Sequence, residues 1–177
     1  YYLKEISAPD GYVFDTAPHP FTLAAVDKKT AIVEAKVSAA NTYLPIRVTL
    51  RKQKENLLIT ETKDGMIHQT VDVVPGEGFV FGLFNSSVIT YGNAQKLPAN
   101  TLLATGTTDA KGNLTFSGLY PHGDYYLKEI SVPDGWLLST DKYPVKLTSE
   151  NKAASENVIT VYLDEPILNR LIYTPVT

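Results

Sequence analysis

The string YYLKEIS stands twice in the chain, at Tyr1–Ser7 and at Tyr125–Ser131, and each copy runs on into a Pro-Asp-Gly turn. Eleven of the first sixteen positions match at an offset of 124 residues. A repeat of that length is a whole small domain, so the chain has to fold as copies of one unit. Each copy also carries a glutamate, Glu5 and Glu129, on the face that a strand turns toward its core.

Between the copies, short segments rich in Val, Ile, Leu, Tyr, Phe and Thr alternate with turn signals: PDG, KDG, PGEG, DAKGN and PHGD. No segment carries a sustained apolar stripe of 3.6-residue period. The pattern predicts an all-β protein of the immunoglobulin-like sandwich class. Strands are expected at Tyr1–Ile6, Phe21–Val26, Ala31–Ser38, Ile46–Gln53, Gly78–Asn85, Leu102–Thr107, Leu114–Leu119, Tyr125–Ile130, Tyr143–Thr148 and Asn157–Leu163. Residues Asn151–Glu156 are compatible with a helical turn.

The repeat can be phased. Asn41 and Asn169 precede a Val-Thr pair at the same distance, Val48–Thr49 and Val176–Thr177, which sets an offset of 128 in place of 124. The second copy has gained about four residues. Residues 1–43 are then expected to be the C-terminal part of one repeat. Residues 44–177 are expected to be one complete repeat plus the start of the next repeat's first strand, so the chain reads as a piece of a longer tandem array. No signal-peptide pattern opens it, which fits a mature piece. No Pro- or Gly-rich linker separates the units, so neighbouring repeats of the same polypeptide should be closely coupled partners.

Strand parity puts three polar side chains in apolar rows. Val48, Leu50 and Lys52 share a face; Tyr125, Leu127 and Glu129 share another; Ile167, Asn169 and Leu171 share a third. Each alone is compatible with a strand end whose polar tip reaches water, and Lys52 with snorkelling. Burial has a different consequence. It raises the pKa of a glutamate and lowers that of a lysine. A desolvated Lys52 then presents a neutral, nucleophilic amine. A protonated Glu129 beside the Asn169 carboxamide polarises its carbonyl. Attack joins the two side chains as an amide and releases ammonia in a single turnover.

Composition narrows the field. The net charge is −3 and no Lys/Arg-rich run is present, so nucleic-acid binding is not expected. No apolar run approaches the roughly 18 residues that span a membrane, so insertion is not expected. The chain has no cysteine, which excludes a disulfide framework. His19, His68 and His122 lack ligand spacing, and no P-loop, G-x-S-x-G or zinc motif occurs, so neither metal nor cofactor is expected. Leu97–Thr101 (LPANT) resembles a sortase sorting signal, but it lacks the Thr-Gly end and a hydrophobic tail and reads as loop. Trp136, beside a turn, reads as core or inter-domain packing ahead of a carbohydrate platform.

Several motifs together carry a family resemblance. YYLKEISVPDGW resembles the "YYLxExxAPxGY" box of the Cna B-type, or SpaA-like prealbumin-like, domains of Gram-positive surface adhesins and pilins. TTDAKGNLTFSGLYPHGDYYLKE resembles that family's strand–turn–strand run into the box, and GFVFGLF its "AxFxLY" strand. The resemblance covers the whole chain, and absence of cysteine agrees with that cell surface. It implies a prealbumin-like β-sandwich with a self-formed Lys–Asn isopeptide bond. By position the lysine is Lys52, the assisting acid Glu129 and the asparagine Asn169. In the leading copy the counterparts are Glu5 and Asn41, whose lysine falls upstream of Tyr1. One departure stands out. From Lys52 to Phe81 the chain runs 29 residues, which implies an extra hairpin around Lys63–Gly65. Lys54 has the same strand parity as Lys52. Lys52 is preferred because Lys54 adjoins the polar Glu55–Asn56.

The function so implied is a structural stalk or spacer repeat of a cell-wall-anchored bacterial surface adhesin, located outside the cell and not a multi-turnover enzyme. Two alternatives stay open. One is an adhesin domain that binds a glycan or host matrix; the other is the shaft domain of a sortase-assembled pilin. Residues 1–43 carry strand edges that also suit strand-swapped self-association.

Overall fold

The computed structural model describes residues 1–9, 11–24, 27, 32–61, 64–90, 94–121, 123–147 and 159–172. Every regular element among them is a strand. In chain order these are β1 (Tyr2–Leu3), β2 (His19–Pro20), β3 (Ile46–Glu61), β4 (Ile67–Pro75), β5 (Val80–Asn85), β6 (Ile89–Thr90) and β7 (Lys96–Leu97). Next come β8 (Leu102–Thr107), β9 (Asn113–Gly118), β10 (Gly123–Ser131), β11 (Lys142–Leu147), β12 (Ile159–Tyr162) and β13 (Ile167–Asn169).

Two sheets make the sandwich. One has the order β11-β10-β5-β8. The other is organised by β3, which pairs with β9 and β4 antiparallel on one edge and with β12 and β13 parallel on the other. Alternate residues of both sheets fill the space between them: Ile46, Val48 and Leu50 from β3, Phe81 and Leu83 from β5, Tyr125 and Leu127 from β10. Each is 1% exposed or less. Such a side chain contributes about 1.5–3 kcal/mol by leaving water.

β3 is longer than its sequence suggests. Its sixteen residues change partners at Lys52. Pairing with β9 ends at Arg51↔Asn113 and pairing with β4 starts at Gln53↔Pro75. The backbone of Lys52 itself bonds to the two turns between them. Its N–H donates to Gly112 O (2.7 Å) and its carbonyl accepts from Gly76 N–H (3.0 Å). Gly112 has φ +77°, and a Cβ there would lie 2.2 Å from the Lys52 oxygen. Only glycine fits this turn.

Beyond Leu57, β3 and β4 form the extra hairpin expected from the long Lys52–Phe81 interval, with Glu61 opposite Ile67. Lys63 in its turn lies outside the described residues, as do Asn151–Glu156 and the ends of the expected strands at Phe21–Val26, Ala31–Ser38 and Asn157–Leu163. The described parts of Phe21–Val26 and Ala31–Ser38 are not strands, and Tyr1–Ile6 contracts to β1. The difference is one of partners. β10 has a neighbour on both edges and runs nine residues, whereas β1 pairs, among the described residues, only with β2 and runs two. Extended backbone without a ladder partner leaves its N–H and C=O groups to water and does not hold a strand.

The repeat is visible in the pairing register. Tyr2 faces Pro20 and Leu3 faces His19 in β1–β2. At an offset of 124, Tyr126 faces Pro144 and Leu127 faces Tyr143 in β10–β11.

Candidate functional site: three polar side chains in the core

Lys52, Glu129 and Asn169 are among the few polar side chains buried with the core, at 0%, 1% and 2% exposure. All three occupy the inward faces that strand parity gives them. Lys52 comes from the partner change in β3, Glu129 from the end of β10, and Asn169 from the end of β13, which runs parallel to β3. The structure brings Glu129 into contact with Asn169 and places Lys52 within electrostatic reach of Glu129.

The hydrogen bonds are specific. Asn169 Nδ2 donates to Glu129 Oε2 (2.7 Å) and to Leu137 O (2.6 Å). The same Glu129 oxygen accepts from Ser139 N–H (2.8 Å). Lys52 Nζ donates to Gln53 O (2.7 Å) and to Ile167 O (2.8 Å), and sits over the Phe79 ring at 4.5 Å. Two buried atoms have no partner among the described residues: Glu129 Oε1 and Asn169 Oδ1. A buried acceptor left unpaired costs about 1–3 kcal/mol. Asn169 thus holds its NH2 by two acceptors and leaves its carbonyl oxygen bare.

Burial pushes the Lys52 amine down to about 8, against the opposing pull of the Glu129 charge. At pH 7 an ordinary lysine is neutral roughly three times in ten thousand. One at about 8 is neutral roughly one time in ten. The site therefore holds an amine with an available lone pair, a carboxyl, and a carboxamide with its NH2 group anchored.

The walls are aromatic. Phe79, fully buried, has the Lys52 amine over its face and makes a T-shaped contact with Trp136, ring centres 6.1 Å apart. Trp136 donates from Nε1 to Glu55 O (2.9 Å) and is half-buried against the core, so packing accounts for it. Lys54 is half-buried, and its Nζ lies over the Trp136 ring at 4.3 Å. Gly76 borders Lys52 so closely that a Cβ there would lie 2.8 Å from Lys52 Cγ. Thr108 fixes this turn, donating to Gly76 O (2.6 Å) and accepting from Phe79 N–H (3.0 Å).

The leading copy repeats half of the arrangement. Asn41 Nδ2 donates to Glu5 Oε1, and Asp15 N–H donates to Glu5 Oε2 (2.6 Å), as Ser139 N–H does to Glu129. Both side chains are half-buried. Sequence reasoning missed the backbone groups that hold the site: Leu137 O, Ser139 N–H, Gln53 O and Ile167 O. It also passed over Asn85, a fully buried amide that binds Ser87 O, Pro98 O and Thr101 N–H and so shapes the LPANT loop. No group of three metal-ligating side chains occurs among the described residues, and His122 lies outside them.

Residues 75–160 match the family model described as SpaA, prealbumin-like fold domain. The match takes in β5 to β11, the greater part of a sandwich with the prealbumin-like fold. Among solved structures, the Bacillus anthracis TIE protein is similar over 97% of this chain and 25% of its own, at 21% identity and TM-score 0.55. The minor pilin GBS52 of Streptococcus agalactiae is 22% identical over 77% of this chain and 48% of its own (TM-score 0.43). The shaft pilin SpaA of Lactobacillus rhamnosus GG is 19% identical over 75% and 52% (TM-score 0.40). The chain thus spans a quarter to about half the length of these proteins, and the first likeness shows a common fold. No curated protein sequence matches.

Proposed function

We propose that this chain is a stalk segment of a Gram-positive surface protein, reinforced by an amide bond between Lys52 and Asn169 that the fold makes for itself. Residues 1–43 are the end of one repeat and residues 44–177 a full repeat with the start of another. The observation that carries the reading is the complete burial of a lysine, a glutamate and an asparagine in one core, with the amine depressed and the carboxamide bonded to the acid. Three such groups are costly to bury for stability alone.

The chemistry balances. The Lys52 Nζ lone pair attacks Asn169 Cγ. Glu129 meets the NH2 of Asn169 and not the carbonyl it was expected to polarise, so its part is proton transfer: it takes one proton from the attacking nitrogen and returns one to the departing NH2. A C–N bond forms to Lys52, the C–N bond to the old amide nitrogen breaks, and ammonia leaves. Glu129 ends as it began, and the event occurs once per chain.

Intact mass decides it. The expected mass is one ammonia below that of the sequence, and Glu129→Ala restores the full value. An unmodified wild-type chain would overturn the proposal. Lys54→Met should keep the deficit and Lys52→Met should lose it; the opposite result would move the bond to Lys54.

A further inference from the structure

The same backbone bonds anchor the chain as it leaves each copy. Gly11 O accepts from Leu44 N–H (2.7 Å), as Gly135 O accepts from Ile172 N–H (2.8 Å). Val13 N–H donates to Thr42 O (2.8 Å), as Leu137 N–H donates to Arg170 O (3.0 Å). Tyr12 bridges Tyr43, as Trp136 bridges Leu171. Residues 11–13 and 42–44 are therefore the counterparts of 135–137 and 170–172.

Their burial differs. Leu44 is 3% exposed and belongs to the core of the sandwich C-terminal to it, and Val13 packs on that core. The counterparts, Ile172 and Leu137, are 56% and 53% exposed, and Leu138 beside them is 49% exposed. Large apolar side chains that cluster in the open mark an interaction surface. Here the occupant can be read from the first joint, because Leu44 and Val13, the equivalents of Ile172 and Leu137, are already covered there, whereas Phe14, the equivalent of Leu138, is open in the first copy too.

We infer that Leu137 and Ile172 form a docking face for a second sandwich of this fold, which receives Ile172 in its core as this one receives Leu44. The inference rests on the stalk reading and gives it a rigid joint. It also ties the joint to the reactive site. Leu137 offers its side chain to the next unit, while its carbonyl holds the Asn169 carboxamide. The face of one unit and the bracket around its asparagine are the same stretch of chain.

The test uses the full chain and a tandem form, in which a further copy of residues 50–172 is added after Thr177. Residue 177 corresponds to residue 49, so the register of the repeat is kept. Amide exchange is measured in peptides covering 135–138 and 170–172. The expected result is exchange slowed roughly tenfold or more in the tandem form. Ile172→Asp should abolish that slowing and leave the ammonia deficit of the 177-residue chain intact. Unchanged exchange at both peptides, with each unit still short of one ammonia, overturns the docking face and leaves the stalk reading standing. A full-mass chain defeats the bond whatever the exchange shows.

Discussion

Lys52 reaches neither solvent nor a carboxylate hydrogen bond; two main-chain carbonyls hold its amine. That placement makes pH a direct probe. The neutral amine is the reactive form, and its pKa lies at about 8. In chain kept unfolded and then refolded at a set pH, cross-linking should quicken about tenfold per pH unit up to pH 7 and level off above about 8. Timed mass spectra would show it, and a rate that falls as pH rises would mean the amine is not limiting. The three polar residues were legible because period-two alternation needs only the sequence. Their holders were not. Leu137 O and Ser139 N–H are backbone groups that any residue type supplies, so no side-chain pattern reports them. Lys52 and Lys54 have the same parity, and only the polar run that begins at Lys54 favoured Lys52; Lys52 is the buried one and Lys54 is half-buried.

At the scale of elements, β3 organises one sheet alone, and its change of partners depends on two glycines. Gly112→Ala places a methyl against the Lys52 carbonyl in a left-handed turn. It should cost about 2 kcal/mol or more, read as a lower urea midpoint. Gly76→Ala should slow cross-linking in the refolding assay, because the added methyl collides with Lys52 Cγ. An unchanged rate would show that the lysine stem can move aside. Local pattern ends β3 at Gln53, where Lys52–Asn56 turns polar. The strand continues because β4 supplies a full ladder along it, and Leu57, Ile59, Val71 and Val73 share one face of the ribbon. The short strands β6 and β7 were missed because buried Asn85, not a turn dipeptide, sets that loop. The described parts of the strands expected in 21–38 find no ladder partner among the described residues, a fact of tertiary pairing that local propensity does not contain.

Across the whole molecule, a Lys52–Asn169 bond closes a loop of more than a hundred residues. By analogy with a disulfide it should add about 4–5 kcal/mol through restriction of the unfolded chain. Glu129→Gln keeps the volume and removes the proton carrier. Its urea-unfolding free energy should be lower by about that amount; equal stability would mean the closed loop contributes nothing. The duplication was visible in YYLKEIS, and the hydrogen bonds around Gly11 and Gly135 carry it down to single carbonyls. The difference between the copies lay in burial, which a string of letters does not record.

The parallel run of β13 beside β3 has a mechanical meaning. In a stalk of the kind proposed, tension would enter this unit at Ile46, where β3 begins, and leave at Asn169, where β13 ends. Because the two strands point the same way, opposed pulls at those ends slide one along the other. The ladder is loaded in shear, all rungs at once, and cannot unzip rung by rung. Slippage by a single step would have to drag Asn169 past Lys54, its neighbour in the register. The proposed amide from Asn169 to Lys52 would be a pin through two sliding plates: it would bear load only once the plates begin to move.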